Sequence, residues 1–442
     1  MLLLDDEETD MRATRRAAVV LAAATALLVS ACGGGDAAED GTVTLTVMSA
    51  TVVEKPDGDA ERAMAEAFMA QNPDIKIEFI GTPMNEMYTK LSTMATGGNL
   101  PDVFTNSPEF YAQAADMGAT EPLDELLGPD YVAGFEPVTL DQARLDGQLQ
   151  FAPFFTIPTG LLYRTDLFEQ AGLAPPTTWE EFVSTARTLT VDTNGDGTTD
   201  RWGFALVGSN NGSGGSRFIP IMRTFGAQEL VQGPDGTVTT EYDTPGAVAA
   251  LKLYGDLVNT YQVVPPGPFQ TSYAEAVSLM ATDKAAMMVT GPHSIGAIVA
   301  QNPGLEGKLA GVPLPHAPGE QPASALGMLG FSISSQSEHK DAAARYLQFI
   351  LSKENQLRWN AVTGRLPART DAAQDPQVQR PELVGFLEAQ QYAFRMPTVP
   401  YYPNVQLLSA EAYQAVISGS ATPEEAAAQA AARTETEIAN AG

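Results

Sequence analysis

The hydrophobic positions of this chain switch repeatedly between two periods. Apolar residues occupy every second position over residues 43–48 and again over residues 75–79, which predicts two strands. Between them, apolar side chains recur at helical spacing over residues 60–71, which predicts a helix. Helical and strand patterns continue to alternate along the chain. This order favours an α/β fold with parallel sheets.

Local signals define further elements. Thr178 with Glu181, and Thr422 with Glu425, match the capping box that begins a helix. Ser107 is a candidate helix cap, followed by Pro108 at the first helical position. Further strands are predicted at residues 101–104, 161–163, 202–207, 285–289 and 331–334. Further helices are predicted at residues 86–96, 166–171, 179–189, 245–260, 272–282 and 340–352.

The first part of the chain has the pattern of an export signal. An apolar run over residues 17–31 follows Arg12, Arg15 and Arg16, which is the layout of a secretory signal peptide. The run is shorter than the roughly 18 apolar residues that a transmembrane helix needs. Residues 1–10 carry acids and no base, so we expect translation to start at Met11, and we expect residues 1–31 to be removed.

The single cysteine of the chain lies where this signal would be cut. Val29-Ser30-Ala31-Cys32 resembles a bacterial lipobox, and that resemblance implies that Cys32 is acylated and becomes the mature N-terminus. The alternative is a plain signal peptide followed by a free cysteine. The small, polar residues that follow predict a flexible tether, so residues 32–42 are read as lipidated cysteine and tether.

Charge and composition narrow the function. The chain has 54 acidic and 25 basic residues, and its formal net charge of −29 argues against a nucleic-acid partner. The same charge favours a soluble monomer. One cysteine and three histidines leave little for a zinc or iron site, so no cofactor is expected. About 410 mature residues exceed one compact core and predict two lobes.

Several segments carry a resemblance to a known family. They are Leu100-Pro101-Asp102-Val103 and residues 118–123, 160–168, 171–173, 176–181, 284–292, 351–356 and 363–367. In order and spacing, the chain resembles extracellular solute-binding proteins of ABC importers, of the large maltose-binding-protein-like type (family 1) that mostly binds sugars. The resemblance extends from about residue 43 to about residue 437.

The resemblance implies a type II periplasmic-binding-protein-like fold. It consists of two α/β lobes, a hinge that the chain crosses three times, and a ligand cleft between the lobes. The first lobe would comprise residues 43–152 plus 314–360, and the second residues 153–313 plus 361–442. Ligands of open α/β sheets bind on loops at the carboxyl ends of strands, which agrees with a cleft site.

Within that fold, loops after the first and third strands would face the cleft. Glu54 lies in the first of these loops, and Asn106 and Glu109 lie in the third. Asn106 and Glu109 offer donor and acceptor groups that suit vicinal hydroxyls. Glu109 is equally consistent with a first-turn acid that complements a helix dipole.

The other cleft candidates lie at the lobe crossover and beyond. Phe155 and Thr156 are candidate contacts, with two of the three neighbouring phenylalanines expected in the core. Asn211 belongs to the glycine- and serine-rich segment 208–216, which is either a ligand loop or a mobile surface loop. His293 follows Gly-Pro where the family often has a tryptophan platform, and it would stack on or hydrogen-bond a sugar.

Three more side chains complete the candidate ligand site. Tyr401 and Tyr402 resemble the C-terminal cleft segment of the family and would supply aromatic surface. Met328 precedes a predicted strand, and core packing is its alternative role.

One loop resembles a calcium site. The sequence over residues 192–200 matches positions 1, 3, 5, 6 and 9 of an EF-hand-type loop, but Gly203 stands where the twelfth position needs a bidentate glutamate. Either the loop binds structural calcium or it is an Asx-rich turn between a helix and a strand. The candidate ligands are Asp192, Asn194, Asp196, Thr198 and Asp200.

These features favour a lipid-anchored, extracytoplasmic binding subunit that captures a carbohydrate or polyol and delivers it to the membrane permease of an ABC transporter. The chain has no nucleophile elbow, no histidine pair at metal spacing and no phosphate loop, so no enzyme is expected. A carbohydrate-active hydrolase with two carboxylates, or a surface sensor or adhesion lipoprotein, is the alternative.

Overall fold

The computed structural model describes residues 42–441, except position 234 and the side chain at position 85. The predicted signal peptide, Met11 and Cys32 lie outside the described residues. Among the described helices, none has the length and hydropathy required to cross a membrane.

Four of the strands in residues 42–441 have seven or more residues, and the others are shorter. In chain order they are β1 (Val43–Ser49), β2 (Ile75–Gly81), β3 (Val103–Asn106), β4 (Thr120–Glu121), β5 (Arg144–Leu145), β6 (Gln148–Leu149), β7 (Ala152–Pro158), β8 (Gly160–Arg164), β9 (Trp202–Phe204), β10 (Val231–Gln232), β11 (Val238–Thr239), β12 (Ala285–Thr290), β13 (Leu309–Val312), β14 (Ser324–Ser334), β15 (Leu366–Pro367) and β16 (Ala393–Phe394).

Helices connect most of these strands. They are α1 (Asp57–Gln71), α2 (Met84–Gly97), α3 (Tyr111–Asp116), α4 (Asp124–Leu127), α5 (Pro129–Val132), α6 (Pro137–Ala143), α7 (Thr165–Ala171), α8 (Trp179–Leu189), α9 (Gly212–Arg223), α10 (Pro245–Asn259), α11 (Tyr273–Ala281), α12 (His293–Gln301), α13 (Lys340–Ile350), α14 (Lys353–Thr363), α15 (Thr370–Ala373), α16 (Pro381–Gln390), α17 (Tyr402–Ser418) and α18 (Pro423–Ala441). Short 3₁₀ turns lie at Thr51–Val53, Pro268–Gln270 and Pro303–Leu305.

Two sheets organise the two lobes of the chain. The first lobe is built on a sheet with the order β15-β7-β14-β3-β1-β2, to which β4 and β16 add by pairing with β14. The second lobe is built on a four-stranded sheet with the order β13-β8-β12-β9. Each sheet is covered by helices, and separate clusters of buried apolar side chains fill each lobe.

The prediction of parallel sheets is only partly right. β1 pairs in parallel with β2 and β3, whereas β14 is antiparallel to β3 and β7, and β8 is antiparallel to β12 and β13. The reason lies in the lobe crossings. β7 runs out of the first sheet and β14 returns to it, so the two strands that link the lobes run in opposite directions.

The chain passes between the sheets close to Thr159, which separates β7 from β8. The chain returns to the first sheet after Ala317 and before the start of β14. Ala317 still belongs to the second lobe, because its N–H donates to the carbonyl oxygen of Thr224. The third passage lies between α15 and α16. α15 follows Arg369, which bridges to Phe135 of the first lobe, whereas α16 packs on β13 of the second lobe.

These passages lie later in the chain than the predicted boundaries at 152/153, 313/314 and 360/361. The first boundary is corrected because β7 belongs to the first sheet, and the last because β15 pairs with β7. The amino-acid composition does not mark the lobe boundaries, because the hinge strands are ordinary strands that pair with the sheet from which they emerge.

Most predicted helix starts agree with the structure. The side chains of Thr178 and Glu181 form a complete capping box, and those of Thr422 and Glu425 exchange reciprocal hydrogen bonds with the backbone. Ser107 is an exception, because it is buried in a turn and α3 begins only at Tyr111. The predicted cap at Ser107 is therefore wrong.

Candidate functional site

A cavity of about 190 Å³ lies between the two sheets, where the lobes meet. Both lobes and the hinge strands contribute to its wall, which is the arrangement expected of a cleft ligand site. The lining residues are Glu109, Ile157, Thr159, Ser216, Arg217, Thr290, Gly291, His293, Ala325, Gly327, Met396 and Gln406.

A larger groove shares one lining residue with the cavity. Met396 also lines a groove of about 640 Å³, whose other lining residues include Asp116 from the first lobe and Gln232 from the second. Another groove, of about 720 Å³, lies between α8 and α10 and is lined by second-lobe residues alone. We place the ligand site in the cavity between the sheets, because both lobes and the hinge strands β7 and β14 line it.

Arg217 is the cation of this cavity. It lies in the second turn of α9, and its Nη1 donates to the carbonyl oxygen of Ser213 at 2.8 Å and to the hydroxyl of Ser213 at 2.6 Å. The guanidinium carbon lies 5.0 Å from the ring centre of Tyr273, a cation–π distance. Its Nε is buried and has no hydrogen-bond partner among the described residues. Loss of water lowers the pKa of Arg217.

His293 begins α12 on the same wall. Its ring centre lies 5.5 Å from that of Tyr273, and its buried Nδ1 has no hydrogen-bond partner among residues 42–441. Burial, assisted by the positive charge of Arg217, lowers the pKa of His293 to about 4. The imidazole is therefore neutral at pH 7 and offers a ligand one donor and one acceptor.

Glu109 faces the cavity from the first lobe. Surrounding protein atoms remove water from its carboxyl group and so raise its pKa, although part of the side chain stays accessible. It is the one carboxylate among the residues that line the cavity. A carboxylate in this position accepts hydrogen bonds from ligand hydroxyl groups.

Small residues keep the floor of the cavity open. A side chain on Gly291 would overlap Ile157, and one on Gly327 would touch the same isoleucine. Both positions therefore bring the hinge strand β7 close to its neighbours without filling the space above them.

Five predicted ligand residues lie in the interior instead. Asn106 is fully buried, and its amide donates to Ser332 and accepts from the backbone of Ser107. Phe155 stacks on Trp359, and Thr156 donates to Gln390 at 2.6 Å.

Met328 is packed in the core of the first lobe, which was its alternative role. Tyr402 is buried in the second lobe and donates its hydroxyl to Glu229 at 2.9 Å. The assignment of these two residues, and of Asn106, Phe155 and Thr156, to the cleft is corrected, because their side chains are buried against other parts of the protein and do not line the cavity.

Three further candidates lie outside the cavity wall. Glu54 is exposed and lies 3.5 Å from Arg365, and Tyr401 is half-buried against the core of the second lobe. Asn211 caps α9, since its side chain accepts from the N–H of Gly214 at 3.0 Å. Of the ten predicted ligand residues, the structure brings Glu109 and His293 together at the cavity.

Arg217, Thr290 and Gln406 also line the cavity and were not predicted. Arg217 was missed because the sequence hides the helix that carries it. Residues 212–216 look like part of a loop, yet they form the first turns of α9. A side chain on Gly214 would overlap Tyr413, and one on Gly215 would overlap the backbone of Gln406. The glycines therefore serve the close approach of α9 to α17, which overrides their low helix propensity.

The calcium-like loop forms a compact set of hydrogen bonds. The carboxylate of Asp192 accepts from the N–H groups of Asn194, Gly195 and Gly197, and that of Asp200 accepts from Thr193. These bonds lower the pKa values of Asp192 and Asp200. Among residues 42–441, no cluster of three or more His, Cys, Asp or Glu side chains is arranged to hold a metal. This geometry is that of an Asx-rich turn.

Comparison with known proteins gives consistent results. The family model described as bacterial extracellular solute-binding protein matches residues 53–357. A putative binding protein of Brucella abortus is 26% identical over 405 residues, which cover 90% of this chain and 93% of that protein.

Solved structures give the same picture. A solute-binding protein of an ABC transporter from Thermotoga lettingae, bound with alpha-D-tagatose, has a TM-score of 0.75 and 26% identity, covering 90% of this chain and 100% of that one. Maltose-bound T. maritima MalE3 has a TM-score of 0.75 and 26% identity, covering 89% and 100%. These similarities confirm the predicted α/β fold of the type II periplasmic-binding-protein class.

The matched model spans well over half of the chain, and the similar proteins are binding proteins and not enzymes. The chain therefore belongs to the bacterial extracellular solute-binding protein family, as the order of its sequence motifs predicts.

Proposed function

We propose that this protein is the lipid-anchored substrate-binding subunit of an ABC importer, and that it captures a sugar or polyol by closing its two lobes around it. The observation that carries the proposal is the cavity between the sheets, to which both lobes and the hinge strands contribute. A ligand held there contacts both lobes at once, so its binding energy favours the closed arrangement.

The similar structures support a carbohydrate ligand. One was solved with alpha-D-tagatose and another with maltose. The wall of the cavity suits such ligands, because Glu109 accepts hydrogen bonds while Arg217, His293 and Gln406 supply donors. A sugar presents both donors and acceptors in its hydroxyl groups.

The proposed anchor is Cys32, joined to the first lobe by a short tether. An acylated cysteine holds the binding protein next to the permease, to which a closed and loaded monomer delivers its ligand. Cys32→Ser should release the protein from the membrane fraction and leave sugar binding unchanged. Retention of the variant in the membrane fraction would refute the anchor.

A thermal-shift screen over mono- and oligosaccharides and polyols tests the proposal. A ligand present at 100 times its dissociation constant adds about 2.7 kcal/mol to the free energy of unfolding, which is a readily measured shift. No shift with any sugar or polyol would contradict the proposal. The products of prolonged incubation are then analysed, because hydrolysis of the bound sugar would favour the hydrolase alternative.

Transport is tested separately in the cell. Deletion of the gene for this protein should abolish uptake of the radiolabelled sugar that gives the largest thermal shift. Uptake at the wild-type rate would point to a sensor or adhesion role instead.

A further inference from the structure

The guanidinium of Arg217 differs in its surroundings from comparable groups in the chain. Every other arginine of residues 42–441 that is buried or half-buried has a carboxylate oxygen within 4.0 Å. Arg164 pairs with Asp166 and Arg223 pairs with Glu229, each at 2.8 Å. Arg217 has no such partner among the described residues.

An unpaired charge away from water is unfavourable, and proteins normally compensate it with a partner. Arg217 lines the cavity between the lobes, so the missing partner can be supplied from the cavity side. The Nε of Arg217 and the Nδ1 of His293 are both buried without a hydrogen-bond partner in the described part of the chain. Both residues line the cavity, so its wall carries two side chains whose polar groups are not fully satisfied within residues 42–441.

One helix end adds to the positive character of the cavity. His293 is the first residue of α12 and lines the cavity, so the N-terminal end of α12 lies at the wall. The partial positive charge of that helix end favours a nearby anion.

The geometry points to a sugar acid as the ligand: a sugar ring whose carboxylate pairs with Arg217 while its hydroxyl groups bind Glu109 and His293. This inference rests on the proposed function and specifies its substrate class. A planar guanidinium matches a carboxylate in shape and charge, which gives stronger hydrogen bonds than a neutral hydroxyl does.

A carboxylate fits this cavity better than a phosphate. Arg217 is the single cationic side chain that lines the cavity, and Glu109 adds an acidic group from the first lobe. A phosphate ester carries close to two negative charges at pH 7, so it would exceed the available positive charge and be repelled by Glu109.

Isothermal titration with matched ligands tests the inference. The panel is D-galacturonate, D-glucuronate and D-mannuronate, with the corresponding neutral sugars and sugar phosphates. We expect at least one sugar acid to bind about tenfold or more tightly than its neutral counterpart, since hydrogen bonds between charged groups are stronger than neutral ones.

Arg217→Gln then identifies the group responsible. It should weaken binding of the sugar acid about tenfold or more and bring the ratio of acid to neutral affinity close to one. Arg187→Gln is the matched control, because it makes the same change at an exposed arginine on α8 of the same lobe. The control should leave the ratio unchanged.

The outcomes separate this inference from the proposed function. Neutral sugars or sugar phosphates that bind as tightly as the acids would overturn the sugar-acid assignment while leaving solute binding in place. A panel in which nothing binds would overturn both. If Arg217→Gln does not fold, as judged by circular dichroism, the comparison of acid, neutral and phosphate ligands on the wild-type protein decides alone.

Discussion

Replacement of Glu61 by glutamine should change how the stability of this protein depends on pH. Glu61 lies in α1 with 1% of its surface exposed, and its carboxylate accepts from the hydroxyls of Ser49 and Thr51, each at 2.7 Å. Its Oε1 is buried without a hydrogen-bond partner in residues 42–441. Burial outweighs the two hydrogen bonds and raises the pKa of Glu61 from 4.5 to about 7.

The sign of the effect follows from proton binding. Between pH 4.5 and pH 7 the folded chain keeps a proton on Glu61 that the unfolded chain has released, so the free energy of unfolding falls as the pH rises through this range. Above pH 7, Glu61 is ionised in the folded chain as well, and the free energy of unfolding is lowered by the whole cost of ionising the buried group. A pKa difference of this size corresponds to about 3 kcal/mol.

Urea unfolding followed by circular dichroism at pH 5, 6, 7 and 8 measures the effect. Relative to wild type, Glu61→Gln should gain stability progressively with pH, by up to about 3 kcal/mol between pH 5 and pH 8. Glu66→Gln makes the same change at an exposed position of α1 and should follow the wild-type curve. If the curves of Glu61→Gln and wild type run parallel, the reasoning about burial is refuted.

Three further variants test the cleft, the packing and the calcium-like loop. His293→Ala should reduce the thermal shift caused by the ligand without unfolding the protein, and an unchanged affinity would remove His293 from the site. Gly385→Ala should cost about 1–3 kcal/mol in urea unfolding, because its side chain would overlap the backbone of Gly311; a stable variant would contradict the tight packing of α16 on β13. Asp192→Ala should lower the melting temperature equally with calcium and with a chelator, since three N–H groups lose their acceptor; a loss seen only with calcium would indicate a metal site.

The elements that the sequence predicts well are those with complete local signals. The strand at 43–48 alternates over its first five residues, and Gly98 and Gly172 end their helices in the left-handed conformation that glycine favours. Capping by Thr178 is likewise readable, because both partners of the capping box lie within four residues.

The cleft was harder to predict, because its residues depend on which face of a strand is turned toward the other lobe. Ile157 lines the cavity, whereas its neighbours Phe155 and Thr156 do not. β14 also carries a register irregularity between Leu329 and Gly330 where it pairs with β7. One residue of register reverses which side chains face inward, and a single sequence does not determine it.

Arg217 could have been found only through its missing partner. Its own sequence context is a glycine-rich segment. Some carboxylates that pair with other arginines are close in sequence, such as Asp371 for Arg369, but others come from positions that only the folded chain brings close, such as Asp283 for Arg164. Charge pairing across the fold is thus the information that the sequence lacks.

Closure of the lobes around a sugar is the central claim, and the distance between them tests it most directly. Since Cys32 is the only cysteine, a Cys32→Ser background allows clean spin labelling at Thr93→Cys in α2 and Glu180→Cys in α8, which are exposed positions on different lobes. Double electron–electron resonance should show a different, narrower distance distribution when the protein is saturated with its sugar. An unchanged distribution in the presence of bound sugar would contradict the claim.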